Sequence, residues 1–103
     1  MQKGARKNRR KHMFRMWAKM FKNNRMLKDM EVQNPDLQCN RTRKVFQAIE
    51  EICYAFDLAQ PVWLPNTIAE FQRHDKCRFT KDNFMEEIDF DYLEIQVIEE
   101  DGQ

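Results

Sequence analysis

The spacing of apolar residues changes period along the chain, and those periods predict most of the elements. Between Arg41 and Leu58, RTRKVFQAIEEICYAFDL, the residues Val45, Ile49, Ile52, Cys53 and Phe56 recur at helical spacing. One side of a helix is thereby apolar, while Arg43, Lys44, Gln47, Glu50 and Glu51 lie around the rest. Asn40 or Thr42 is placed to cap its first turn, and Pro61 sets its limit.

Phe14 to Asn34 alternates instead, and reads as a β-hairpin turning at Lys22-Asn23-Asn24. A three-residue loop closed by Asn24 in the left-handed region sets Phe21 against Arg25 and Met20 against Met26. Ala18 then meets Lys28, Met16 meets Met30 and Phe14 meets Val32, giving one Met-rich face. A two-residue loop would oppose Ala18 to Asp29 and Met16 to Glu31, splitting that face, so the pattern favours the longer loop. Phe90 to Glu99, FDYLEIQVIE, alternates most clearly of all. Leu93, Ile95 and Val97 share one side, while Phe90, Tyr92 and Ile98 make the other apolar as well, which predicts a central or doubly covered strand.

The intervening elements are weaker. Pro61-Val62-Trp63-Leu64-Pro65 is a connector or brief edge strand. Thr67-Ile68-Ala69-Glu70 has the spacing of a capping box and predicts a helix from Thr67 to Cys77 with Ile68 and Phe71 inward. A further start at Thr80, with Phe79 and Phe84 spaced as a hydrophobic staple, predicts a short helix burying Phe84, Met85 and Ile88. The expected fold is α+β: an N-terminal hairpin and C-terminal strand form a small, three-stranded antiparallel sheet. It packs on one main helix plus one or two shorter ones.

Composition adds scale. The chain has 103 residues and is 42% hydrophobic, with eight Phe and seven Met, enough for one core. Residues 13–101 are expected to form that single domain, and residues 1–12, MQKGARKNRRKH, a basic flexible extension. Met13 or Met16 is an equal candidate for the true start. Charge is segregated: residues 1 to 28 hold eleven Lys and Arg and no acid, whereas Glu86 to Asp101 holds eight acids and no base. The two ends either form a polyanion-binding pole or pair as neighbouring strands and neutralise each other, and the second is ordinary sheet chemistry. Cys39, Cys53 and Cys77 are odd in number, with no Cys-x-x-Cys spacing and no export signal, which predicts a reduced, cytoplasmic protein. No apolar run approaches the roughly 18 residues that span a bilayer.

The phrases WAKMFKNNRMLKD, FQAIEEICYAFDLAQPVWL, IAEFQRHDKCRFTKDNF and EIDFDYLEIQVIEED resemble a family of short uncharacterised proteins widespread in clostridial Firmicutes. The resemblance spans about residues 16 to 101 and implies a bacterial cytoplasmic protein. It carries no assigned activity and no catalytic residue, and the basic start departs from its pattern.

The sharpest binding candidate is the second hairpin face, where Arg15, Trp17, Lys19, Phe21, Arg25 and Leu27 interleave cations with apolar and aromatic groups. Single-stranded nucleic acid is held by that combination, and so are protein partners. His74 and Cys77 stand three apart, but a structural zinc site wants four ligands. Asp82, Glu86, Glu87, Asp89 and Asp91 are dense without the loop spacing of a calcium site and read as solvated acids. No Gly-rich phosphate loop or nucleophile elbow occurs. The expectation is therefore a non-catalytic protein-interaction domain, binding a protein partner or a second copy, with nucleic acid as the alternative. No catalytic residue, cofactor, metal, membrane contact or small-molecule substrate is assigned.

Overall fold

A computed structural model of the chain describes residues 13–100. The extension expected over residues 1–12, with His12, lies outside them, as does Asp101. The elements run β1 (Phe14–Lys22), β2 (Arg25–Asn34), α1 (Arg41–Phe56), α2 (Pro65–His74), β3 (Lys76–Phe79), a 3-10 turn (Lys81–Asn83) and β4 (Tyr92–Glu99). One four-stranded sheet has the order β2-β1-β4-β3, with every neighbouring pair antiparallel. The basic first strand and the acidic last one do meet: β1 lies against β4, and Arg15 pairs with Glu99 and Lys19 with Glu94 across that seam.

The helices cover one side of the sheet. Phe14, Met16, Ala18 and Met20 of β1, Leu93, Ile95 and Val97 of β4, and Cys77 and Phe79 of β3 form a single buried cluster with Val45, Ala48, Ile49, Ile52, Cys53 and Phe56 of α1. Asn40 caps α1, its Oδ1 accepting from Arg43 N at 2.9 Å, and Asp57 ends it in the left-handed conformation. The buried stripe is broader than the periodicity suggested. Lys44, expected on the polar side, is 1% exposed, and Ala48, Ile52 and Phe56, at successive four-residue steps from it along the helix, are buried as well.

The hairpin register is corrected. Asn23 and Asn24 both take positive φ, 53° and 64°, so the loop has two residues, with Lys22 opposite Arg25 and Phe21 opposite Met26. A bulge then leaves Leu27 without a cross-strand partner, and Met20 pairs with Lys28, Ala18 with Met30 and Met16 with Val32. The extra residue restores the face parity that a two-residue loop alone would have broken. The Met-rich face therefore reaches the helices by a turn different from the one expected.

The segment from Pro65 to Phe79 also differs. Pro65 occupies the first turn of α2, Leu64 is its N-cap without a side-chain bond, and Thr67 is buried inside the helix. Phe71 points inward, but Ile68 is 41% exposed. The helix stops at His74, Asp75 turns left-handed, and Lys76–Phe79 becomes β3, the fourth strand that helical spacing concealed. Thr80 caps only a 3-10 turn; Phe84 is buried, whereas Met85 is 86% exposed. Phe90 precedes β4 and packs edge-on against Phe84, with centroids 5.9 Å apart, so it joins the core rather than the outer face of the strand. Residues 61 to 64 form no strand.

Candidate interaction face

Alternation sends every second side chain of the sheet away from the helices, and no described element covers that side. β1 contributes Arg15, Trp17, Lys19 and Phe21, the four residues expected there. Arg25, opposite Lys22, falls on the other side of the ribbon; Met26 takes its place beside Phe21, and Leu27 stays as the 50% exposed bulge residue. β4 adds Tyr92, Glu94 and Gln96, and β3 adds Lys76 and Arg78. Of these five, only Tyr92 was expected opposite Leu93, Ile95 and Val97; Glu94, Gln96, Lys76 and Arg78 were not among the candidates. The signal was present in the Cys77/Phe79 alternation, which puts Lys76 and Arg78 outward once KCRF is read as a strand.

Register arranges these groups in rows across the sheet. One runs Glu31, Trp17, Gln96, Lys76, and the next Asp29, Lys19, Glu94, Arg78. Phe21 and Tyr92 form a third, stacked with centroids 5.1 Å apart and planes at 24°. Lys19 Nζ lies 3.6 Å from Glu94 Oε1 and 4.0 Å from the Trp17 ring centroid. Lys76 Nζ is 4.0 Å from Glu94 Oε2, and the Arg78 guanidinium sits 4.4 Å from the Tyr92 centroid. Trp17 Nε1 donates to Asp29 Oδ2 at 2.8 Å. Arg15 bridges two strands, Nε to Glu99 at 2.6 Å and Nη1 to Glu31 at 3.0 Å.

These contacts move the titrations in the expected directions. Hydrogen bonds to Glu99 and then Glu31 hold the Arg15 guanidinium above its ordinary value. Glu31 is pulled below the usual carboxylate range, first by the Gln33 amide and, against the opposing effect of burial, by Arg15. Glu94 is 7% exposed although it points away from the helices, and its two carboxylate oxygens face Lys19 and Lys76 of the neighbouring strands. Acids and bases alternate along the row, so the face is charge-balanced rather than uniformly positive.

The remaining chemical candidates are dispersed. His74 ends α2 in solvent, whereas Cys77 is fully buried in the core. Asp91 accepts from Asn23 N at 2.8 Å and ties the hairpin turn to β4. Glu86, Glu87 and Asp89 border a cleft of about 390 Å³ with Asp57, but no three His, Cys, Asp or Glu among the described residues are grouped to hold a metal. A second groove, about 270 Å³, lies between α1 and α2 and is lined by Val45, Phe46, Trp63, Ile68 and Phe71.

The free cysteines differ sharply. Burial pushes the Cys53 thiol up to about 11, and burial followed by the charges of Glu70 and Glu94 pushes Cys77 up to about 12, while Cys39 is only partly covered. At pH 8 a disulfide reagent should modify Cys39 promptly and the other two at least roughly a hundredfold more slowly, since the thiolate is the reacting species. Their rates should rise with pH. Prompt reaction of all three in the native protein, followed by absorbance, would contradict the packing.

Among the described residues no helix is long and apolar enough to cross a membrane. Comparison with protein-family models, with curated proteins and with solved structures finds nothing that matches this chain.

Proposed function

We propose that this is a non-catalytic interaction domain whose uncovered sheet face docks a protein partner. The observation that carries the reading is the combination on that face of outward aromatic rings with a balanced, alternating charge pattern. Aromatic groups beside paired charges suit a protein surface, where rings supply contact area and the charges set register. The three free cysteines favour a reducing, cytoplasmic setting. An enzyme reading gains nothing from the clustered acids, which are spread among a cleft, a turn and a strand start.

One observation favours nucleic acid as the second reading: Lys19 over Trp17 and Arg78 beside Tyr92 set cations next to stacking rings on an open antiparallel sheet. Against it stand Asp29, Glu31, Glu94 and Glu99, interleaved with those cations and repelling phosphates.

Trp17→Ala tests the proposal, because Trp17 contributes to the face and not to the core. Its unfolding midpoint should stay close to that of the parent, while capture of the partner by immobilised protein should fall at least roughly tenfold. Capture that survives the substitution would overturn the assignment. Binding of a labelled single strand that weakens steeply between low and physiological salt would transfer the face to nucleic acid.

A further inference from the structure

We infer that the occupant of this face is a second copy of the same chain, packed sheet to sheet about a two-fold axis parallel to the strands. The inference rests on the proposed docking face and deepens it by naming the partner. A two-fold in that direction turns one sheet over onto the other, so β2 faces β3 of the second copy and β1 faces its β4.

The charges fit that operation row by row. Asp29, Lys19, Glu94, Arg78 reads acid, base, acid, base, and its reversal reads base, acid, base, acid. Asp29 therefore meets Arg78 of the second copy and Lys19 meets Glu94. In the next row Glu31 meets Lys76, while Trp17 lies over Gln96. Phe21 and Tyr92 exchange across the axis, aromatic on aromatic, and Arg15 meets Glu99. A two-fold perpendicular to the strands would instead stack each strand on itself, acidic edge on acidic edge and basic on basic. The pattern selects one orientation.

Area agrees with a dimer of moderate affinity. Four strands about 4.8 Å apart, unequal in length but averaging roughly eight residues, give a face near 500 Å², so about 1,000 Å² is buried in total, at the lower limit of a specific interface. The angle of about 30° between stacked sheets displaces the edge partners by only a few Å, within reach of Lys and Arg stems.

The test uses sedimentation equilibrium of the full chain from about 1 to about 300 μM. The unmodified protein should dimerise. Asp29→Arg and Arg78→Glu, both at exposed positions, should each weaken self-association at least roughly tenfold by setting like charges opposite each other. Mixed in equal amounts, the two variants should recover an affinity within about threefold of the parent, because the changed positions then face one another with opposite sign. Should either fail to fold by circular dichroism, Glu31→Lys and Lys76→Glu make the same comparison in the neighbouring row.

A parent that stays monomeric throughout, or single variants that dimerise like the parent, would overturn the inference. A monomeric parent that still captures a different protein through Trp17 would overturn the self-pairing while sustaining the docking face. Competition for the face by a single-stranded oligonucleotide would overturn both.

Discussion

Replacing Phe79 with alanine is expected to cost about 4 kcal/mol of folding stability, the largest loss we anticipate from one substitution. β3 has only four residues, and its hold on the core consists of Cys77 and Phe79, both fully buried. The Phe79 ring meets Trp63 edge-on at 5.1 Å, and Trp63 in turn meets Phe71 of α2 at 5.5 Å. Removing the ring opens a cavity between the edge strand and the connector. Because domains of this size are stable by roughly 5–15 kcal/mol, the variant should lie close to its unfolding midpoint at mild urea. Phe79→Leu should retain most of the stability. A loss for alanine below about 1.5 kcal/mol would mean that β3 is peripheral to the fold.

Asn83→Ala should cost about 3 kcal/mol, although the residue is small and polar. Asn83 is 3% exposed, and its Nδ2 donates to the Val62 carbonyl and to Thr67 Oγ1, each at 2.9 Å. Its Oδ1 accepts from Thr80 N at 3.0 Å. One amide thus joins the connector, α2 and the 3-10 turn, and truncation leaves the Val62 carbonyl and Thr67 hydroxyl without these donors and Thr80 N without its acceptor. Asn83→Asp sharpens the test, since an ionised carboxylate can accept from Thr80 N but cannot donate to Val62. Burial should raise that carboxyl above its unfolded value, so the penalty appears as pH rises through the unfolded range and shrinks in acid. Urea unfolding of variant and parent at pH 4.5 and 7.5 measures it as a difference; a penalty independent of pH would refute the donor argument.

Those two residues also show where sequence periodicity stops being informative. Val45, Ile49, Ile52 and Phe56 announced α1 because the helix spans several turns, and each turn repeats the same apolar signal. KCRF is too short for its alternation to compete with the helical reading that runs on from Phe71, and β3 was absorbed into α2. Asn83 carries no periodic signal of its own. Only the approach of Val62 and Thr67, respectively twenty-one and sixteen positions earlier, turns it into a junction.

The interaction face was half legible for the same reason. Arg15, Trp17, Lys19 and Phe21 occupy alternate positions of one strand, so local order places them together. Arg25 was misplaced by the turn: the two asparagines both adopt left-handed geometry, and the bulge at Leu27 shifts the pairing by one residue. Tyr92 and Glu94 reach the face because β4, far along the chain, pairs with β1, and Lys76 and Arg78 reach it because β3 pairs with β4.

By itself, then, the order of residues determined the class of fold, the long helix, the antiparallel hairpin and the segregation of a basic beginning from an acidic end. Each follows from short-range periodicity or gross charge, which neighbours along the chain already carry. Tertiary structure alone decided the register of the hairpin, the existence of the fourth strand, the burial of Lys44 and the alternating charge rows of the open face. These depend on which distant backbones share hydrogen bonds, and pairing across the sheet is settled by competition among all strands at once.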